Sequence, residues 1–141
     1  MSIFCRKNLG YMNVAMKNCI DDFKLSYLSS HTLSVAKIKT LNKICKKAHK
    51  MINKMSSTDI ANGMAVNDVS IECAALNILQ NVAMINIKPC SAVEYINGSS
   101  EDYAYDLYKA INTEKFWRGL ISEEQYGENI TTGTLVKLGK R

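Results

Sequence analysis

A single proline, Pro89, in 141 residues is the feature that most constrains what this chain can fold into. Proline removes a backbone donor and breaks helix interiors, so its near absence leaves long stretches free to run as helix. The apolar residues use that freedom. Met12, Met16, Cys19, Ile20, Phe23 and Tyr27 recur at i, i+4, i+7, i+8, i+11 and i+15, one stripe of a helix predicted from about Leu9 to Ser29. After a break at Ser29-Ser30-His31, Ile38, Leu41, Cys45, Ala48, Ile52 and Met55 keep the 3,4 spacing of a second helix, Thr32 to Met55. The two are expected to pair as an antiparallel hairpin.

A third element is predicted over Ser57 to Met64, and a charge-poor central helix from about Asn67 to Ile87, stopped by Pro89. Ser91 with Glu94 fits a capping box opening a short helix to Ile96. Asn97-Gly98 reads as a turn, and Ser99 with Asp102 opens a helix through about Ile111. Gly119 follows Phe116-Trp117-Arg118 as a C′ residue, Ser122 and Gln125 form another capping box, and Ile121 and Tyr126 occupy hydrophobic-staple positions. Gly127 to Arg141, with its Thr131-Thr132-Gly133-Thr134 tract, is expected to be partly ordered or frayed. The predicted fold is all-α, a compact bundle of about five to six helices: one domain over 1–136 and a basic tail over 137–141.

Composition supports this class. With 47% apolar residues, seven Gly and five Cys, collagen-like, disordered and disulfide-scaffold chains are excluded. Cys5, Cys19, Cys45, Cys73 and Cys90 are odd in number and form no C-x-x-C pair, which argues for reduced thiols and a cytoplasmic location. Arg6 and Lys7 are followed by Lys17 and Asp21 with no apolar h-region between, so no signal peptide is expected. Cys73 to Ile87 is uncharged but only 15 residues long, a buried helix rather than a membrane span.

Charge is divided unevenly. Residues 1–55 carry +9, residues 56–136 carry −7 and the last five residues +3, for a net +5. Within the first block Lys39, Lys43, Lys46, Lys47, Lys50 and Lys54 fall at i, i+4, i+7, i+8, i+11 and i+15, opposite the apolar stripe of the second helix. Over about 22 Å of helix such a row can follow several phosphates. The bland alternative is a solvated face. Against it, no acid lies between Phe23 and Ser57, whereas a face serving solubility alone usually mixes signs and gains i,i+4 pairs. Fifteen of the 18 basic residues are Lys, point charges without the bidentate fork of Arg, so weak sequence preference is expected of any nucleic acid bound.

Two other segments invite a functional reading. Asp59 to Ile71, continuing through Leu76, looks like a helix-turn-helix, with Ala61 at the helix contact, Ala65 near the turn, Val66 and Ile71 as packing anchors and a second helix from about Asn67. Asp68 and Glu72 would face the groove, however, with no base before Lys88, which favours a structural helical corner. Glu94 to Glu128 holds eight acids, three bases and seven aromatics. Tyr103, Tyr105, Tyr108, Trp117 and Tyr126 are its candidate protein-interaction residues; alternatively, rings such as Tyr108, Phe116 and Trp117 fill the core.

The octapeptide Gly119-Leu-Ile-Ser-Glu-Glu-Gln-Tyr126 resembles the corner of short SHOCT-type C-terminal helical hairpins. That resemblance implies oligomerisation or interaction rather than chemistry. It covers eight residues, and Gly127 and the Thr/Gly tract depart from the family's second helix.

Catalytic patterns are sparse. Cys45 and His49 at i, i+4 supply two of the three or four ligands zinc needs. As a nucleophile pair they would need an accessible thiol, yet Cys45 lies on the apolar stripe. No phosphate loop, dinucleotide fingerprint, zincin, nucleophile-elbow or EF-hand spacing occurs. The chain is expected to be a non-enzymatic binding or regulatory protein without cofactor, metal or small-molecule substrate. Its lysine helix would engage nucleic acid or another polyanion. The alternative is a protein-protein regulator, an inhibitor or adaptor, binding an acidic protein through the same helix or a partner through its acidic, aromatic half; a homo-oligomer is compatible with either.

Overall fold

The computed structural model describes the backbone of residues 3–29, 35–66, 69–85 and 91–138, and the side chains of 7–21, 39–66, 69–81 and 103–138. Expectations for His31, Pro89, Cys90 and the tail beyond Leu138 lie outside these residues, and those for the Cys5 thiol and the Ser91–Glu94 side-chain cap lie outside the described side chains. The fold is a helical bundle. Its described elements are α1 (Ile3–Ser29), α2 (Val35–Met51) continued by a 3₁₀ turn (Ile52–Lys54), α3 (Ser57–Ala61), the strands β1 (Ala65–Val66) and β2 (Val69–Ser70), α4 (Ile71–Ile85), α5 (Ser91–Trp117) and α6 (Glu123–Lys137).

The stripes seen in the sequence face inward. Leu9, Met12, Met16 and Ile20 of α1, Leu41, Cys45, Ala48 and Met51 of α2, Ile71, Ala75, Ile78 and Leu79 of α4, and Ala104, Leu107 and Ile111 of α5 form one core. The layering differs from a simple N-terminal hairpin. The α1 and α2 helices touch, but α1 packs most extensively on α4 and α2 on α5, with α4 and α5 side by side in the centre. An uncharged stretch suits that central place, because it can be covered on several sides without desolvating a charge.

Between α3 and α4 the chain forms neither a helix-turn-helix nor a plain helical corner. After Ala61 the backbone takes two left-handed residues, Gly63 at φ +68° and Met64 at φ 59°. At Gly63 glycine is required, since a Cβ there would lie 2.6 Å from Ser70 Oγ. A short antiparallel hairpin follows, pairing Val66 with Val69 and Ala65 with Ser70. The β-branched Val66 and Val69 flank an Asn-Asp pair, the pattern of a two-residue hairpin link, which outweighs the helical spacing read across it. Asn13 of α1 holds the hairpin down, donating from Nδ2 to the Val69 carbonyl at 2.7 Å and the Met64 carbonyl at 3.3 Å. Helix α4 starts at Ile71 instead of Asn67, capped by Ser70, whose Oγ accepts from the Cys73 amide at 3.3 Å.

The C-terminal third also departs from expectation. Helix α5 runs unbroken through Asn97-Gly98 to Trp117, and α6 is helical to Lys137 where fraying was expected. The corner between them is as anticipated: Gly119 at φ +72°, with Leu120 N donating to Lys115 O at 2.8 Å and Gly119 N to Phe116 O at 3.0 Å, is a Schellman stop. Ser122 then caps α6, accepting from the Gln125 amide at 3.0 Å. Weak helix formers in α6 are held by docking on α5. A Cβ at Gly133 would stand 2.8 Å from the Tyr108 ring, so glycine lets the helices close there, while the Tyr108 hydroxyl donates to the Asn129 carbonyl at 3.1 Å and Tyr105 shares a 2.9 Å bond with Thr134. Tertiary contacts thus override propensity.

Arg118 ties the corner to the end of α2. Its guanidinium donates to the Met55 carbonyl at 2.7 Å and the Ile52 carbonyl at 3.4 Å, and its Nε meets Glu114 at 2.8 Å. The Met55 carbonyl past the end of the 3₁₀ turn thereby gains a charged donor, and the Ile52 carbonyl, which already accepts from the Met55 amide at 3.2 Å, gains a second.

Candidate polyanion-binding face

The lysine row is set out by the burial of its opposite side. Because Leu41, Cys45, Ala48, Met51, Ile52 and Met55 are buried, Lys39, Lys43, Lys46, Lys47, Lys50 and Lys54 are turned outward, and all six are exposed. Among the described residues none of the six ammonium groups pairs with a carboxylate. Lys46 makes one identifiable contact, its Nζ lying 4.9 Å above the Tyr103 ring. That cation–π contact orients Lys46 toward α5 and leaves the outer side of the ammonium free for hydrogen bonding. Helix α2 has no acid, so no carboxylate within the helix offsets the positive field along it.

Packing of α2 on α5 adds a feature that the sequence did not reveal. Two depressions of about 330 and 340 Å³ lie between these helices and meet at His49 and Asp106. The first is lined also by Ile52, Asn53, Lys109, Thr113 and Trp117, the second by Lys46, Lys50 and Tyr103. A one-dimensional pattern cannot show this groove, because it depends on α2 choosing α5 as its main neighbour.

The candidate interaction aromatics divide sharply. Trp117 is 75% exposed at the end of α5. Tyr108 is buried, and burial, with Glu72 and Cys73 nearby, pushes its phenol up to about 12; it is a core residue and has no face to offer a partner. Tyr105 is half-buried between the Lys109 and Lys137 ammoniums, Tyr103 lies under Lys46, and Tyr126 stacks on Phe116 with centroids 5.0 Å apart while its hydroxyl meets Thr113 at 3.1 Å. These rings join α6 and α2 to α5.

Comparison with protein-family models, curated proteins and solved structures gives no match. The chemistry of the face is therefore read from its own residues.

His49 is exposed in the groove, one turn from Cys45, but Cys45 is buried. Burial, with the Cys19 thiol adding, pushes its pKa up to about 12, so the thiolate required of a nucleophile is essentially absent at neutral pH. In the folded protein at about pH 8, where an ordinary thiol is partly ionised, iodoacetamide is expected to alkylate exposed Cys73 and leave Cys45 unmodified. Mass spectrometry of the digested protein checks this, and alkylation of Cys45 at a rate matching Cys73 would contradict it. Among the described residues no three His, Cys, Asp or Glu side chains are placed to hold a metal ion, and no helix is long and apolar enough to cross a membrane.

Proposed function

We propose that this chain is a small, non-enzymatic binding protein whose Lys39–Lys54 face engages nucleic acid or another polyanion by charge neutralisation. The observation that carries the reading is the row itself: six exposed lysines within 16 residues, none paired with a described carboxylate. Exposed lysines on a helix gain a few tenths of a kcal/mol from each i,i+4 acid; a face that forgoes every such pair bears self-repulsion that a bound polyanion relieves. The mechanism is release of counterions from the ligand rather than reading of bases, since the row contains no Arg. The free thiols of Cys45 and Cys73 suit work in a reducing compartment such as the cytoplasm.

A salt titration tests this. Affinity for a labelled oligonucleotide is expected to fall log-linearly with salt, with a slope of about −5 on duplex or −4 on a single strand if six phosphates are neutralised. A salt-insensitive affinity, or none, overturns the proposal. The protein-protein alternative, an inhibitor or adaptor, draws its support from exposed Trp117; it predicts partner binding that salt barely changes.

A further inference from the structure

We infer that the groove between α2 and α5 holds single-stranded nucleic acid, with an unpaired base stacked on Trp117 and the strand's phosphates on the α2 lysine row, of which Lys46 and Lys50 line the groove itself. The inference rests on the polyanion reading and deepens it by naming the ligand's form.

Three observations point to a single strand. First, the lysine row borders a concavity: Lys46 and Lys50 line one depression, Lys109 the other, and the two meet at His49 and Asp106. A duplex presents its phosphates on a stiff convex cylinder and needs no groove of this kind, whereas a flexible strand can lie in one. Second, the aromatic at the groove's end is available. Trp117 is 75% exposed and lies outside the hydrophobic core, while Tyr103, Tyr105, Tyr108 and Tyr126 are engaged within the protein. A positively charged track beside an open aromatic ring is the arrangement that binds single strands with little sequence preference, because every base has a π-face.

Third, the dimensions fit. From Tyr103 to Trp117 along α5 is about 21 Å at 1.5 Å per residue, room for a run at the short end of the roughly 4–16 nucleotides that single-strand sites cover. The acids on the α5 bank do not oppose this. Glu114 is neutralised by Arg118, and Asp106, where the two depressions meet, is an acceptor suited to a base N–H, the ring imide of thymine or an exocyclic amino group, rather than to a phosphate. Charge and ring therefore take different parts of the same ligand.

Trp117 is the chain's one tryptophan, so its emission reports on the groove directly. The native protein is titrated with a short oligothymidylate, with inorganic polyphosphate and with polyglutamate at one moderate salt concentration, following tryptophan emission and displacement of a fluorescein-labelled oligothymidylate. The oligonucleotide is expected to quench Trp117; polyphosphate is expected to bind without quenching. Trp117→Ala should weaken oligothymidylate binding about tenfold and leave polyphosphate affinity unchanged, and Trp117→Phe should retain most of the binding. Because Trp117 is exposed, circular dichroism of both variants should match the native protein. If the oligonucleotide binds with no quenching and no loss in Trp117→Ala, the lysine row alone is the site: the inference fails and the polyanion reading survives. Polyglutamate binding as tightly as the oligonucleotide would overturn the inference in favour of an acidic protein partner. Binding of none of the three would end both.

Discussion

Replacing Lys43, Lys46, Lys47 and Lys50 together by Gln is expected to weaken binding to a single-stranded oligonucleotide about six-hundredfold at roughly 0.1 M salt. The magnitude follows from counterion release. Each phosphate neutralised on a single strand adds about 0.7 to the salt exponent, so at that salt it contributes about fivefold to the affinity, and four contacts multiply. The slope of log affinity against log salt should flatten from about −4 to about −1.5, leaving the share of Lys39 and Lys54. The fold should be unaffected, since all four side chains are exposed and Gln is close to Lys in helix propensity. A variant that keeps the native slope would show that the charge involved lies elsewhere on the molecule.

The second large effect is on stability. Lys115→Ala is expected to cost about 3 kcal/mol, lowering the melting temperature by roughly 10 °C. Lys115 forms an ion pair with Glu72, and the two side chains are only 11% and 15% exposed. Glu72 sits against the Gly63 turn and has Asn112 Nδ2 at 3.5 Å. From Asn112 the polar chain continues: its Oδ1 accepts from Asn129 Nδ2 at 2.8 Å, and Asn129 Oδ1 accepts from Gln125 at 2.8 Å. The pair thus joins α4 to α5, and the amides join both to α6. Removing the ammonium leaves a mostly buried carboxylate with one long amide contact, and it is this uncompensated charge that destabilises. The paired replacement Glu72→Leu with Lys115→Met should recover most of the loss, because it removes both charges and keeps the volume. Denaturant unfolding of the three proteins measures the coupling. A single variant within about 0.5 kcal/mol of native would mean the pair behaves as an exposed one.

Local signals in the sequence were reliable where the physics was local. The outward lysines of α2, the buried thiol of Cys45, the stop at Gly119 and the cap at Ser122 each depend on residues within two turns, and the structure has all of them. Misreadings arose where distant partners decide. Asn97-Gly98 carries turn residues yet lies inside α5, and Gly127 and Gly133 lie inside α6; in α6 the docking on Tyr105 and Tyr108 outweighs propensity. The Val66-Asn-Asp-Val69 hairpin was hidden in a helical spacing because two-residue strands are too short to show alternation. The groove was beyond reach for the same reason. Which side of the lysine helix meets α5, and that Trp117 remains open while four tyrosines are engaged, follow only from the packed structure.

The central claim, that the α2 face is the polyanion site, is tested most directly by amide chemical-shift mapping of the ¹⁵N-labelled protein during titration with oligothymidylate at low salt. The account predicts perturbations concentrated in residues 39–54, extending to the facing 103–117 of α5, and reversed by added salt. Perturbations centred instead on the far side of α1, around exposed Tyr11 and Val14, or no perturbation at saturating oligonucleotide, would contradict it.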